Sequence, residues 1–149
     1  MVIEESILIM SPILKIWTIF SDLTCWSEWN TVLENVSSDS LRVAEGSRIR
    51  FCIRLFVIPF YFEPVIEGVV TCKKITWCGE KFGIIARHEY IFHETEQGVS
   101  VTSRETFSGG PVALAGALFS RGRLNGLTVK LLQDLKEAAE KREDNGTKD

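Results

Sequence analysis

Apolar residues recur along the chain at two different periods, and the changes of period mark its elements. Val2 to Met10 is rich in isoleucine and stops at Ser11-Pro12. A serine oxygen that caps free amides, followed by a proline that lacks only an orphan donor, predicts a helix start. Ile13, Leu14, Trp17 and Phe20 then follow at helical spacing. Ser21-Asp22 supplies a second cap ahead of Leu23, Trp26 and Trp29, so two short helices in tandem are expected. After Asn30 the period falls to two. Arg48 to Leu55 alternates most cleanly, with Ile49, Phe51, Ile53 and Leu55 as its inner face. A break at Ile58-Pro59 leads to a second strand over Phe60 to Lys73, and a third covers Ile75 to Gly79. A fourth and fifth cover Ile85 to Glu94 and Val99 to Ser108, with Glu96-Gln97-Gly98 as turn material. Gly109-Gly110-Pro111 ends the last strand and starts a long helix, whose stripe is Leu124, Leu127, Leu131, Leu135 and Ala138. Gly116, Gly122 and Gly126 weaken its first half by roughly 1 kcal/mol each, which points to close approach or mobility there.

One strand, two short helices, a run of antiparallel strands and one long helix make an α+β domain, expected over residues 1–141 with a polar, frayed tail at 142–149. The 149 residues are 45% hydrophobic and 25% charged, an ordinary composition for one domain. A net charge of -3 argues against a general polyanion binder. Acids at Glu4 and Glu5 stand where a signal peptide would carry basic residues, and the longest apolar run, Leu55 to Phe62, is too short to span a membrane. Cys25, Cys52, Cys72 and Cys78 show no CxxC pair, so reduced thiols in a cytoplasmic protein are expected.

Five strings, in order, carry a family resemblance: Asp22…Glu28-Trp29-Asn30, Phe62-Glu63-Pro64-Val65, Ile75-Thr76-Trp77-Cys78-Gly79, His88-Glu89-Tyr90-Ile91-Phe92 and Glu105-Thr106-Phe107-Ser108-Gly109. With the element order they resemble the SRPBCC superfamily, the START-related helix-grip fold, in its polyketide cyclase/dehydrase-like branch. The resemblance implies a curved antiparallel sheet and two short helices wrapped around the C-terminal helix, with a cavity between. It spans almost the whole chain, but the superfamily hosts carriers, enzymes and chaperone co-factors on one frame. Two departures stand out: Thr31 follows Asn30 where many relatives have proline, and the last helix begins rich in glycine and arginine. Both are expected at the ligand mouth, so a relative's specificity does not carry over.

Candidate chemistry follows from the hairpin of the fourth and fifth strands. If Glu94 pairs with Val99, then Phe92 faces Val101, Tyr90 faces Ser103 and His88 faces Glu105, all on the inner face with Phe107. His88 and Glu105 would form a hydrogen-bonded pair inside the concavity, either an acid–base device or a satisfied polar pair that orients a ligand. No nucleophile stands out; Cys52 shares the outer face of its strand with arginines. His88 and His93 have opposite parity, so no metal site is expected, and no glycine-rich string matches a cofactor loop. Arg48, Arg50 and Arg54 form a basic stripe, read as a solvated face offset by Glu63 or Glu67 rather than a nucleic-acid platform.

The expected cavity walls are Trp29, Phe51, Ile53, Phe62, Trp77, Tyr90, Phe92, Phe107 and Leu118, with His88, Ser103 and Glu105 orienting a polar group. Trp17 reads as core; Trp29 and Trp77 could equally fill the core. Three function classes stay open: binding of a small, mainly apolar molecule, lipid- or polyketide-like; a cyclase, dehydratase or hydrolase using His88 and Glu105; and a protein-interaction module. No cofactor is expected, and the chain reads as a monomer or homodimer. Pro59 is expected at a hairpin tip amid Phe56, Val57, Ile58 and Phe60. Together with Pro111, Val112, Leu114, Leu118 and Phe119 these residues would flank the mouth as an exposed patch: a lid, a peripheral membrane or carrier dock, or a dimer contact.

Overall fold

The chain begins with β1 (Val2–Ile9), turns through α1 (Ile13–Ser21), a 3-10 turn (Leu23–Cys25) and α2 (Trp26–Trp29), and continues as β2 (Glu34–Ser38), β3 (Ile49–Leu55), β4 (Ile58–Phe62), β5 (Val65–Val70), β6 (Lys74–Lys81), β7 (Ile84–Glu94) and β8 (Val99–Ser108) before α3 (Arg121–Glu140). These elements come from a computed structural model that describes residues 1–55, 57–110 and 120–141. The expected tail at 142–149, and residues 111–119 of the helix expected to start at Pro111, with Gly116 and Leu118, lie outside the described residues; the observed helix starts at Arg121, capped by Ser120. The strands form two antiparallel sheets, ordered β1-β8-β7-β6-β5 and β2-β3-β4. Helix α3 packs on β1, β8 and α1, so the architecture is the α+β helix grip.

The larger sheet is built on rows of partners. One inner-face row runs Ile3–Glu105–His88–Trp77–Ile66 and the next Glu5–Ser103–Tyr90–Ile75–Val69. Its outer face carries charge, with Arg104 bound to Glu4 and Arg87 bound through two nitrogens to Glu67. Alternation thus separates a solvated face from a core face. Trp17, Phe20, Trp26, Tyr90 and Phe92 are buried at the end nearest the 95–98 turn, with Phe20 against Tyr90 at 4.6 Å and Trp17 against Phe92 at 5.4 Å.

Several expectations are corrected. Pro12 is the N-cap of α1 and gives its own carbonyl to the amides of Lys15 and Ile16, with no side-chain cap. Leu14 is exposed; the buried face is Ile16, Trp17 and Phe20. Asp22 does cap, accepting from the Thr24 amide at 3.0 Å. The strand expected over Phe60 to Lys73 is two strands, broken at Glu63-Pro64 where the chain passes from one sheet to the other. Pro59 sits inside β4 opposite Arg54 rather than at the tip; β4 is an edge strand, where a missing donor costs no ladder bond. Strand β2 has no expectation behind it. It is short and polar, has Asn35 at φ 53, and shifts register between Glu34 and Ser37. Cys52 is buried although it alternates with arginines; its outward neighbours Arg50 and Arg54 lean onto Asp39 and Glu34, and the small thiol lies between them. With Arg48 paired to Glu63 at 3.7 Å, every arginine of the stripe has an acidic partner; Glu67 serves Arg87 instead.

Thr31 belongs to an anchor. Asn30 folds its side chain back on the chain, accepting from the amides of Val32 and Leu33 and donating to the Leu33 carbonyl. This presents Thr31 to buried Asp134 of α3, whose carboxylate takes the Thr31 amide at 2.8 Å, its hydroxyl at 2.7 Å and the Lys130 ammonium at 2.6 Å. Burial alone would raise the Asp134 carboxyl, but the Lys130 and Thr31 bonds outweigh it and hold it below the usual range. Proline at 31 would lack both donors. The departure therefore ties α2 to α3 rather than shaping a mouth. Gly122 and Gly126 are not close-approach sites either, since a Cβ at each meets nothing within 4 Å.

Two outcomes follow. Thr31→Val keeps the amide but loses the hydroxyl bond to a buried carboxylate, and should cost about 1.5–2 kcal/mol in urea unfolding. The native pKa of Asp134 is depressed, so this loss is full above its unfolded pKa and narrows as pH falls through the native value. Gly126→Ala should raise the melting temperature by about 2–4 °C, because it gains helix propensity without a clash.

Candidate functional site

Between the two sheets and α3 lies a cavity of about 390 Å³. The larger sheet contributes Trp77, Gly79, Ala86, His88, Tyr90, Glu105 and Phe107; the smaller gives Phe51, Ile53 and Phe62; α3 adds Leu124, Leu127, Thr128 and Leu131; Val32 and Leu33 close the side. The space exists for a sequence reason. Gly79 and Ala86 are cross-strand partners, and Ala86 faces Phe107, so two of the three positions in that row have little or no side chain.

The expected register of the β7–β8 hairpin is observed, with His88 opposite Glu105 and Tyr90 opposite Ser103. The expected hydrogen bond between His88 and Glu105 is not. His88 Nδ1 and Glu105 Oε1 are 4.0 Å apart, too long for one. His88 instead bonds Ser103 Oγ through Nε2 at 2.6 Å. Its ring stacks on Tyr90 at 4.3 Å and meets Trp77 edge-on at 5.4 Å. These neighbours explain the miss: the diagonal serine is within reach, and the aromatic rings fix the imidazole towards it.

Burial controls the titration here. It drives His88 down to about 3, so the imidazole is neutral at physiological pH, and pushes Glu105 up to about 7. The Tyr90 phenol is pushed up by burial first and by the Glu105 charge second, with Ser103 partly offsetting them. Glu105 is 22% exposed, and it lines the cavity. A carboxyl group able to hold or release a proton near neutrality, beside a neutral imidazole, can donate to a carbonyl, accept from a hydroxyl or balance a cation.

Three expected site residues are not among the walls. Trp29 turns onto Trp26 at 4.9 Å and Phe20 at 6.3 Å, with its indole nitrogen buried and unpartnered among the described residues. Phe92 is core against Trp17 and Phe20, because α1 covers that end of the sheet. Ser103 is buried behind His88 and acts on it rather than on the cavity. Leu118 lies outside the described residues. Thr128 was missed; it follows Leu124 by one helical turn, and its hydroxyl donates to the Leu124 carbonyl. The rim was missed as well. Lys81 lies 5.4 Å from the ring centres of Phe62 and Phe82 and donates to the Tyr61 carbonyl at 2.5 Å. Phe82 sits at φ 54 before Gly83 at φ 75, a left-handed pair that makes the tight β6–β7 turn and leaves the Phe82 ring exposed. Val57 and Ile58 are exposed on the β3–β4 hairpin; Phe56 and the 111–119 half of the expected patch lie outside the described residues. Among the described residues no cluster could hold a metal ion, and no helix is long and apolar enough to cross a membrane.

No family model matches the sequence, and no curated protein matches it significantly. Solved structures do. The di-domain ARO/CYC BexL from the BE-7585A biosynthetic pathway superposes with a TM-score of 0.78 at 17% identity, over 96% of this chain and 51% of that one. The chain therefore spans about half the length of that di-domain protein. TTHA0849 from Thermus thermophilus superposes at 0.77 with 12% identity, over 93% of this chain and 97% of its own. KanY superposes at 0.73 with 12% identity, over 95% and 98%. Likeness at these identities establishes the fold.

Glu105→Gln tests the electrostatics. The native state keeps a proton on Glu105 that the unfolded chain releases from about pH 4.5, so the wild type loses stability as pH rises from there to about 7. The variant should match wild type near pH 4 and exceed it at pH 8 by about 2–3 kcal/mol in thermal or urea unfolding. His88 titrates in both proteins and cancels in the comparison.

Proposed function

We propose that this chain, with the helix-grip fold of SRPBCC and polyketide cyclase proteins, binds a small, mainly apolar molecule, lipid- or polyketide-like, in the cavity between its sheets and α3. One observation carries the reading: the inner face leaves about 390 Å³ open, walled mostly by aromatic and aliphatic side chains, with His88 and Glu105 on the inner face of the sheet and Arg48, Glu63, Glu80 and Lys81 also in the lining. Apolar walls with a few converging polar groups are the usual composition of a small-molecule site. A protein under no demand for space would fill Ala86, because a larger apolar side chain there adds burial.

A second reading is favoured by the pair of His88 and Glu105. Glu105, poised near neutrality, would deliver a proton to a substrate carbonyl or take one from an adjacent carbon or hydroxyl. His88, neutral and held by Ser103, would orient the reacting group. A structural neighbour, the di-domain ARO/CYC BexL, lends this reading support.

Ala86→Leu separates a used cavity from an idle one. The larger side chain should weaken binding of the dye anilinonaphthalene sulfonate about tenfold or more, read by energy transfer from the tryptophans. The melting temperature should stay level or rise. Equal binding by both proteins would remove the cavity as the site. Native mass spectrometry of freshly purified protein should show a co-purified small molecule in wild type and lose it in Ala86→Leu.

A further inference from the structure

Among the described residues Glu105 has no cationic counterpart. It lines the cavity, accepts no hydrogen bond from the described residues, and has among them one neighbour at ion-pair range, His88 Nδ1 at 4.0 Å. Other acids of the fold do have partners: Asp134 has Lys130 and Thr31, Glu67 has Arg87, and Glu34 has Arg54. A buried carboxylate ordinarily needs such partners. His88 does not serve, because it is buried and neutral. Among the described residues the other groups around Glu105 leave the charge unanswered: the Tyr90 hydroxyl is bound to Ser103, and the two side-chain cations of the cavity lining, Arg48 and Lys81, are held by Glu63 and by the Tyr61 carbonyl. Across β1 its partner is Ile3, and Glu5, one row on, carries the same sign. Ser103 is engaged by His88, and the Thr128 hydroxyl of α3 donates to the Leu124 carbonyl. The Met1 ammonium lies at the exposed rim and donates to the Phe107 carbonyl at 3.2 Å.

We propose that this cavity receives a protonated organic amine, its ammonium bridging Glu105 Oε1 and His88 Nδ1 and its apolar body lying against the walls. The inference rests on the cavity-binding reading above and narrows its ligand class. The bridge uses the tautomer in which Nε2–H donates to Ser103, so that the lone pair of Nδ1 faces Glu105 across the 4.0 Å gap. One nitrogen at about 2.8 Å from both acceptors would subtend an angle of about 90° between them, close to what two N–H bonds of an ammonium can span. The stacked His88–Tyr90 pair and Trp77 add aromatic faces to the pocket, which favour a cation over a neutral group of equal size. Uptake also has a pH signature. A bound ammonium favours ionised Glu105, so amine affinity should rise from about pH 5 to pH 8 while that of a neutral ligand does not.

The experiment compares three probes on one skeleton, naphthylethylamine, naphthylethanol and naphthylacetate, by quenching of tryptophan fluorescence. Each is titrated at pH 5 and pH 8 into the wild type and Glu105→Gln, with near-UV circular dichroism confirming that the variant is folded. The amine should bind about tenfold tighter than the alcohol at pH 8, the carboxylate should bind weakest, and the preference should fall to within about twofold at pH 5 and in Glu105→Gln. An alcohol that binds wild type as tightly as the amine at pH 8 would overturn the amine assignment and leave cavity binding standing. A preference that persists undiminished in Glu105→Gln would overturn the assignment too, since the cation would then sit elsewhere. Failure of all three probes to bind wild type would overturn the cavity-binding reading and this inference together. The pH profile of wild type decides the matter even if the variant proves unfolded.

Discussion

The antiparallel pairing of β7 with β8 sets the character of the whole interior. Side chains alternate with a period of two, so one register sends Tyr90, Phe92, Val99 and Val101 to the same face as Ala86, His88, Glu105 and Phe107. The first group packs into the core beneath α1, with Tyr90 at its border where it also lines the cavity. The second group, with Gly79 across from Ala86, cannot close, and α3 covers what remains open. The turn end of this hairpin is pinned: Thr95 and Gly98 bond across it at 2.7 Å, and a Cβ at Gly98 would come within 2.5 Å of the Ile9 carbonyl oxygen. A residue larger than glycine there would push β1 away from the hairpin, and a slip of one position would invert both faces.

A sheet curved around a hole needs its cover held from outside the hole. Asp134 does this, since its two bonds from Thr31 join α3 to the segment after α2 without using any cavity wall. Lys15 and Lys136 add bonds from α1 to the carbonyl of Lys141 and from α3 to that of Leu8. The helix is thus fastened along its C-terminal half, while its N-terminal half, with Leu124, Leu127 and Thr128, faces open space. Stability and binding therefore draw on different stretches of the same helix.

Much of this was legible in the sequence because it rests on periodicity. The hairpin register, the inner face of β3, the Asp22 cap and most of the aromatic walls follow from alternation and spacing alone. What was not legible depends on partners distant in sequence. Strand β2 has no apolar alternation and exists because β3 offers it a ladder. The split of Phe60 to Lys73 into two strands is a change of sheet, which no local pattern records. Thr31 gains its meaning from Asp134, more than a hundred residues on. His88 could be placed opposite Glu105, but its choice of Ser103 depends on ring orientation, set by Tyr90 and Trp77. Trp29 had the right chemistry for a wall and the wrong direction, because a single turn of helix rotates its ring onto Trp26.

Pro59 bears on a property separate from binding. It lies in β4, the outermost strand of the smaller sheet, and the hairpin around it exposes Val57, Ile58 and Tyr61. An apolar strand at a sheet edge is the kind of template on which a second chain can extend the sheet and start aggregation. With no amide hydrogen at position 59, that edge is interrupted at its second residue, and an incoming strand cannot continue its ladder past it. This apolar hairpin thus carries its own guard against self-association through strand pairing.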